Sequence, residues 1–296
     1  MPTILTITPN PLIDFIAIGT VVPGKVSRVT AFTPIAGGKG INMARVLARH
    51  GHRVFAGGFA GGGHGTLLSG LMDADGIEAV FTPIAAPARI GFQVVDAARS
   101  RTTAVLESGF LVSSAENQAL LRRVRELLPD VDLVLVGGSV PCPACISLLR
   151  QINDLCHRAK KICWMDSYGP AMDEALAGSH PPALAKPNRQ EYGNGRAWLT
   201  CPELHLSDGA APLRIRTPQG RFRVTVPDLI QANPVGSGDC YIAALAHARL
   251  SGWPLEKQLV YAAAAGAANA QRADVARIGP EDIRPLMRQV TVAARA

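Results

Sequence analysis

Short apolar runs alternate along the chain with stretches in which apolar positions recur every three to four residues. TILTIT (Thr3 to Thr8) reads as a strand, GINMARVLARHG (Gly40 to Gly51) as a helix closed by Gly51, and RVFAGGF (Arg53 to Phe59) as a strand again. The rhythm returns at VDLVLVGG (Val131 to Gly138), CISLLRQINDLCHRA (Cys145 to Ala159) and KICWMD (Lys161 to Asp166). Two helical stretches, DCYIAALAHARLSG (Asp239 to Gly252) and LEKQLVYAAAAGAANAQR (Leu255 to Arg272), follow near the C-terminus, and their alanines suit close packing on a sheet. Strands alternating with amphipathic helices predict an α/β fold: a mostly parallel central sheet covered by helices on both faces. All 296 residues are read as a single domain.

Two regions break this rhythm. Between about residues 15 and 34, and again between 89 and 107, β-type segments (FIAIGTVV, SRVTAFT, IGFQVVDA, TTAVLE) follow one another without helices. They predict a small antiparallel sheet inserted into the core, placed to act as a lid.

Composition narrows the picture only modestly. An apolar share of 48% with 18% charged residues is that of an ordinary globular protein. No apolar run approaches the roughly 18 residues of a membrane span, and MPTILTIT lacks the basic start of a signal peptide. A cytoplasmic protein with no membrane association is the expectation. The net charge is +7, but the basic residues are scattered along the sequence with no aromatic-studded block, which argues against nucleic acid and for an anionic small-molecule substrate. CPAC (Cys142 to Cys145) has the spacing of a redox or zinc pair, yet no second pair follows, and idle buried thiols fit as well.

Three motifs carry candidate chemistry. AGGKGIN (Ala36 to Asn42) is no Walker A loop, because Lys39 is followed by Gly40; it fits either a tight turn or a close backbone approach to a ligand, with Asn42 offering an amide. In PVGSGD (Pro234 to Asp239), a Gly-Ser-Gly turn opens a helix. Its unpaired amides and the helix dipole favour an anion such as phosphate, and Asp239 sits in the first turn beside it. A plain N-cap carboxylate would need neither Gly236 nor Gly238. KPNRQEY (Lys186 to Tyr192) places Asn188 and Glu191 one helical turn apart, which fits Mg2+ chemistry and a capped helix start equally. The glycine cluster GGFAGGGHG (Gly57 to Gly65) has no regular nucleotide-loop spacing, and His64 reads as a loop residue.

In this order the motifs resemble the PfkB/ribokinase family of sugar kinases, over Thr6 to about Ala270, with GGKGIN and VGSGD the specific signatures. TPNPLID (Thr8 to Asp14), VGGSVP (Val136 to Pro141) and MDSYG (Met165 to Gly169) are similar to the phosphosugar branch of that family, which includes 1-phosphofructokinase, a minor 6-phosphofructokinase and tagatose-6-phosphate kinase. The resemblance implies a ribokinase-like fold and ATP-dependent phosphorylation of a hexose phosphate with Mg2+. It assigns Asp14, Gly38, Lys39 and Asn42 to the sugar, and Lys25, Arg89 and Ser139 to the phosphate already on it. Asn188 and Glu191 would organise the metal, Ser207, Gly209 and Asn269 the nucleotide. Gly236, Ser237 and Gly238 would form the anion hole, with Asp239 the general base. A carboxylate at a helix N-terminus would be ionised and only weakly basic. Lids of this family often pair, which implies a homodimer. The alternatives are a sugar-phosphate-binding protein without catalysis and a kinase of an unphosphorylated sugar or nucleoside.

The chain departs from the family pattern in several places, among them Asp208, which adds negative charge to the nucleotide loop, and Pro212, which replaces that loop's second glycine. Residues 192 to 206 are too few for the usual helix and strand before the nucleotide loop. Gly91 stands where the branch carries Asn, and Ser237 where Ala is usual.

Overall fold

The computed structural model describes residues 1–193, 195–226 and 229–295. Its central sheet is built from β1 (Thr3–Thr8), β4 (Arg53–Ala60), β5 (Glu78–Ala79), β6 (Thr82–Pro83), β9 (Leu133–Gly137), β10 (Ile162–Asp166), β11 (Leu184–Ala185), β12 (Glu203–Asp208), β13 (Ala211–Thr217), β14 (Gly220–Thr225) and β15 (Thr291–Arg295). The strand order is β15-β14-β13-β12-β11-β10-β9-β1-β4-β5, with β6 also on β4. The strands from β12 to β5 run parallel, and β13, β14 and β15 extend the sheet antiparallel.

The helices are α1 (Lys39–Arg49), α2 (Gly62–Ala74), α3 (Ser114–Leu127), α4 (Leu148–Arg158), α5 (Pro170–Ala177), α6 (Arg189–Tyr192), α7 (Ser237–Leu250), α8 (Leu255–Ala270) and α9 (Pro280–Met287). Period-two alternation sends β1 side chains both ways. Ile4 joins a core with α1, α7 and α8, while Leu5 and Ile7 join a second core with α3, α4 and α5. Burial on both faces explains the nearly continuous apolar reading of these strands. The pair α7 and α8 meets through Ala243, Ala244, Ala263 and Ala264, all almost completely buried, so small side chains set a close approach.

The inserted sheet exists, with a pairing different from the expected one. β2 (Leu12–Ile18), β3 (Thr33–Gly37), β7 (Arg89–Asp96) and β8 (Arg101–Leu106) lie in the order β3-β2-β7-β8. The central pair β2 and β7 is parallel, so this sheet is mixed rather than antiparallel. SRVTAFT is not a strand either: residues 19 to 32 form an exposed loop, and β3 begins at Thr33. Period-two patterning does not tell which strand pairs with which. His64 also differs from expectation, since it lies in the first turn of α2 with Nδ1 2.7 Å from the Ala88 carbonyl oxygen.

Among the described residues from 192 to 206 the strand forms as β12, and no further α-helix follows α6. A short 3-10 turn, Ala197–Thr200, takes its place and drives Trp198 into the core. Among the described residues no helix is long and apolar enough to cross a membrane.

One buried cation ties the fold to its cleft. Arg45 on α1 is 0% exposed and donates to Asp75 Oδ2 at 2.6 Å, to Asn42 Oδ1 at 3.1 Å and to the Ala36 carbonyl. Removing it would leave the Asp75 carboxylate with only the longer contact to Arg277, at 3.5 Å. Arg45→Ala is expected to cost about 3–5 kcal/mol of folding stability. Urea denaturation checks this, and an unchanged midpoint refutes the role.

Candidate active site

The parallel strands deliver their C-terminal ends to one cleft, where ligands of open α/β sheets bind. A cavity of about 350 Å3 lies there under the inserted sheet, lined by Thr8 at the end of β1, Asn10 just after it, Asp14 on β2, Arg89 on β7, Asp166 at the end of β10 and Asp239 on α7. A second cavity of about 220 Å3 adjoins it. Both share Lys186, Ser207 and Gly238 in their walls. The second is apolar and narrow, walled by Leu213, Val226, Leu229, Tyr241, Ala263 and Ala267.

The N-terminus of α7 stands at the junction. Gly236 caps it with φ of 82°, a left-handed conformation that glycine adopts without steric cost. At Gly238 a Cβ would lie 2.7 Å from Lys186 Nζ, so that position admits no side chain while the ammonium is there. The Ser237 amide is already committed, donating to the Pro234 carbonyl at 3.2 Å.

Charge at the junction forms one connected network. Lys39 Nζ lies 2.7 Å from Asp166 Oδ1 and 2.9 Å from Glu191 Oε1, and Lys186 Nζ lies 3.2 Å from Asp166 Oδ2. Burial works against the charge on Lys39, but Asp166, Glu191 and Asp239 outweigh it and hold the ammonium well above its ordinary range. Burial likewise opposes the Asp166 carboxylate, yet Lys186 and Lys39 prevail and keep it below its ordinary value. Asp239 has the opposite fate. Burial, with the nearby Asp166 charge adding to it, pushes its pKa up to about 7, against the pull of Lys39, the Asn42 hydrogen bond and Lys186. Asn42 Nδ2 donates to Asp239 Oδ2 at 2.8 Å. The expectation of a weakly basic Asp239 is therefore corrected: the helix end is not its dominant environment. A buried acid titrating near neutrality can take and return a proton at working pH.

Also in the lining of the larger cavity, Arg89 donates to the carbonyls of Asn10 and Glu107 at 3.1 and 2.9 Å. Asn10 Nδ2 donates to Ser139 Oγ at 3.1 Å. Gln93 donates to Asp14 Oδ2, while Asp14 Oδ1 is buried with no partner. Burial raises the Asp14 pKa despite Gln93 and Arg89. At Gly91 a Cβ would sit 2.5 Å from Leu106 Cδ2 and 2.8 Å from Leu12 Cδ1, so an Asn there would require these two leucine side chains to move.

The structure thus gathers Asp14, Gly38, Lys39, Asn42, Arg89, Ser139, Asn188, Glu191, Ser207, Gly236, Gly238 and Asp239 around one cavity. Ser237 and Gly209 line the adjoining one. Lys25 is not brought there: it lies in the exposed loop after β2, its amide donating to the Val22 carbonyl at 3.2 Å. Asn269 lines neither cavity. Fully buried, it donates to the Val235 carbonyl and to Ser237 Oγ and accepts from the Ala276 amide, bracing the turn before α7. Asn188 and Glu191 form a capping box, with Asn188 Oδ1 accepting from the Gln190 and Glu191 amides at 2.9 Å. Cys142 and Cys145 hold their sulfurs 3.8 Å apart, and burial, with Cys142 adding to it, pushes the Cys145 thiol up to about 12, which keeps it inert.

Asp166 and Lys186 belong to the site although sequence reasoning gave them no role. The signals were present: an Asp closing an apolar strand, and a Lys before a proline that ends another.

Two cavities that meet at a helix N-terminus beside a near-neutral carboxylate form a layout suited to passing a group between two bound molecules. The family can be stated. The profile of the pfkB family carbohydrate kinases matches residues 10–194 and 203–281, and the chain belongs to that family.

Solved structures agree in fold. A crystal structure described as a possible 1-phosphofructokinase from Thermotoga maritima superposes with a TM-score of 0.91 at 19% identity, covering 99% of this chain and 100% of that one. The tetrameric inhibited form of phosphofructokinase-2 from Escherichia coli gives 0.84 at 22%, over 97% and 99%. A Staphylococcus aureus protein, provisionally described as a phosphofructokinase, gives 0.79 at 26% identity, over 99% of each chain. The ribokinase-like arrangement of a large, mostly parallel sheet and a small separate one is common ground.

The Asp239 environment has a thermodynamic consequence. The folded state holds this proton up to about pH 7, whereas an unfolded Asp releases it near 3.8. Between these values the folded state binds more protons, so stability falls as pH rises, by about 4 kcal/mol in all at 1.36 kcal/mol per unit. Asp239→Asn carries no such penalty. Its melting temperature is expected to exceed that of the unaltered protein at pH 8 and to converge with it toward pH 4. Equal melting curves at pH 8 would show that Asp239 is not forced to ionise in a hostile site.

Proposed function

We propose that the protein transfers the γ-phosphoryl group of ATP, with Mg2+, to a hydroxyl of a hexose phosphate: fructose 1-phosphate, fructose 6-phosphate or tagatose 6-phosphate. The single observation that carries this reading is that one cavity is lined by both the near-neutral Asp239 carboxyl and the Arg89 guanidinium. An acceptor with an anionic group at one end and a reactive hydroxyl at the other matches that layout. Similarity to proteins described as phosphofructokinases supports it.

In this reading Asp239 accepts the hydroxyl proton as the new O–P bond forms and the bond to the departing ADP breaks. Asn42 holds the carboxylate in place. The cation Lys186, at the shared wall, faces charge that develops on the transferring group. The amide of Gly238, next to it, completes the anion hole with Gly236, while Ser237 serves through its turn. Asp14 and Asn42 bind sugar hydroxyls, and the orphaned Asp14 Oδ1 is free to accept one. The narrow apolar cavity takes the nucleotide base, with Ser207 and Gly209 on its rim.

The residues present fit Mg2+. Asp166, Glu191 and Asn188 bring hard oxygens to the junction, with Asp166 Oδ2 engaged only by the Lys186 ammonium at 3.2 Å, and no metal-holding group of three or more His, Cys, Asp or Glu occurs among the described residues. That donor set suits an ion that keeps waters and phosphate oxygens as ligands. Glu191 and Asp166 would hold it through water, since Asn188 Oδ1 is committed to its helix cap. Bound with the nucleotide, the ion neutralises phosphate charge.

Homodimerisation through the lid is part of this proposal, supported by Ile18, Val26 and Val105, which are 68%, 80% and 67% exposed on one small sheet and its loop. Sedimentation velocity is expected to give the dimer mass; a monomer at working concentration refutes it.

ADP release with Mg·ATP and the three sugar phosphates tests the activity. One of them is expected to turn over, with kcat falling about 10²–10⁴-fold in Asp239→Asn. Arg89→Ala is expected to raise KM for the sugar phosphate far more than it lowers kcat. Turnover of ribose or adenosine instead would refute the assignment.

A further inference from the structure

The antiparallel end of the large sheet carries a second binding surface. Period-two alternation turns Leu213, Ile215 and Val224 toward the α7 and α8 core, so the residues between them face the other way. Those residues are Arg214 and Arg216 on β13, Arg221 and Arg223 on β14, and Arg295 on β15. The register sets them directly opposite one another: Arg216 beside Arg221 beside Arg295 in one row, Arg214 beside Arg223 in the next. Among the described residues only the 3-10 turn Ala197–Thr200 reaches them, at Arg216. They line an open groove of about 720 Å3 that continues past Arg189 to an apolar end formed by Tyr192, Leu199 and Leu204.

Like charges directly opposite on a sheet destabilise it, and this patch has five. Arg216 satisfies one nitrogen on the carbonyls of Trp198, Leu199 and Cys201. Among the described residues Arg214, Arg221, Arg223 and Arg295 have no hydrogen-bonded or ionic side-chain partner. Asp208 is the lone acidic residue in the groove lining. Protection of a sheet edge calls for charge on the edge strand alone, which here is β15, whereas four of the five arginines sit on the strands inside it.

The patch is compact. Three strands span about 10 Å and two residues along a strand about 7 Å. A nucleic acid spreads its charge along a track, while several phosphoryl groups linked in one small molecule concentrate theirs within such dimensions. Arginine, with its planar fork of donors, is the side chain best suited to hold them. From the register, the missing counter-charges and the size of the patch, we infer that this sheet face binds a small polyphosphate, either inorganic or carrying a nucleoside whose ring rests on the apolar end. It lies on the sheet face opposite the α7–α8 side, so it is separate from both cavities of the cleft.

Calorimetric titration of the full chain with inorganic tripolyphosphate tests this, beside ATP and a single-stranded oligonucleotide, in the unaltered protein and in Arg214→Ala/Arg223→Ala. A binding event distinct from that of the cleft is expected for tripolyphosphate, weakened at least ~10-fold in the variant, with kinase turnover and melting temperature in the absence of anion retained. Arg214→Lys/Arg223→Lys should restore part of the affinity. Tighter binding of ATP than of tripolyphosphate at the site that the variant loses would identify the nucleoside form. Identical tripolyphosphate isotherms in the variant and the unaltered protein overturn the inference. So does oligonucleotide binding at the arginines without tripolyphosphate binding. The readout is binding alone, so a failure of the sugar-kinase reading leaves it intact and distinguishable.

Discussion

Two carboxylates, Asp166 and Asp239, are buried in one cleft, and they cannot both be comfortably ionised there. Asp166 wins the available cations: Lys39 and Lys186 close on it from two sides. Asp239 is left with an amide from Asn42 and a raised pKa. Everything around the cleft can be read as the scaffolding of that inequality. The end of β10 sets Asp166, α1 brings Lys39 and Asn42, the segment after β11 brings Lys186, and α7 brings Asp239. Arg45 then fixes α1 through its own buried ion pair.

The same inequality links stability to chemistry. A well-solvated Asp at a helix start would steady the fold and remain a poor base. Burying it beside a second carboxylate produces a group that exchanges its proton near neutrality at the expense of folding free energy. Gly238 belongs to the same arrangement, because the absent side chain is what lets Lys186 stand against the helix end.

Much of this was legible in the sequence, for identifiable reasons. Strands buried on both faces leave continuous apolar runs, and α1 and α7 announce themselves by glycine-rich starts followed by apolar periodicity. Asp239 could be chosen because a plain cap needs neither Gly236 nor Gly238, and Asn42 because its motif matches a family signature. Other features depend on distance in space rather than along the chain. The roles of Asp166 and Lys186 arise from each other and from Lys39. Asn269 looks like a ligand-facing amide, yet three hydrogen bonds turn it inward. The arginines appeared scattered because their register across three strands is invisible in one dimension. Even so, the alternation in RIR (Arg214 to Arg216) and RFR (Arg221 to Arg223) was there to be noticed.

The parallel pairing of β2 with β7 gives the small sheet a property that two separate hairpins would lack. Leu12 lies opposite Arg89, and Asp14 opposite Gly91, on hydrogen-bonded neighbouring strands. The Arg89 guanidinium and the Asp14 carboxylate are thus mounted on one hydrogen-bonded plate, although 75 positions of chain separate them. Any displacement of one strand would carry the other with it, so a molecule that touched both would meet a single body rather than two independent groups.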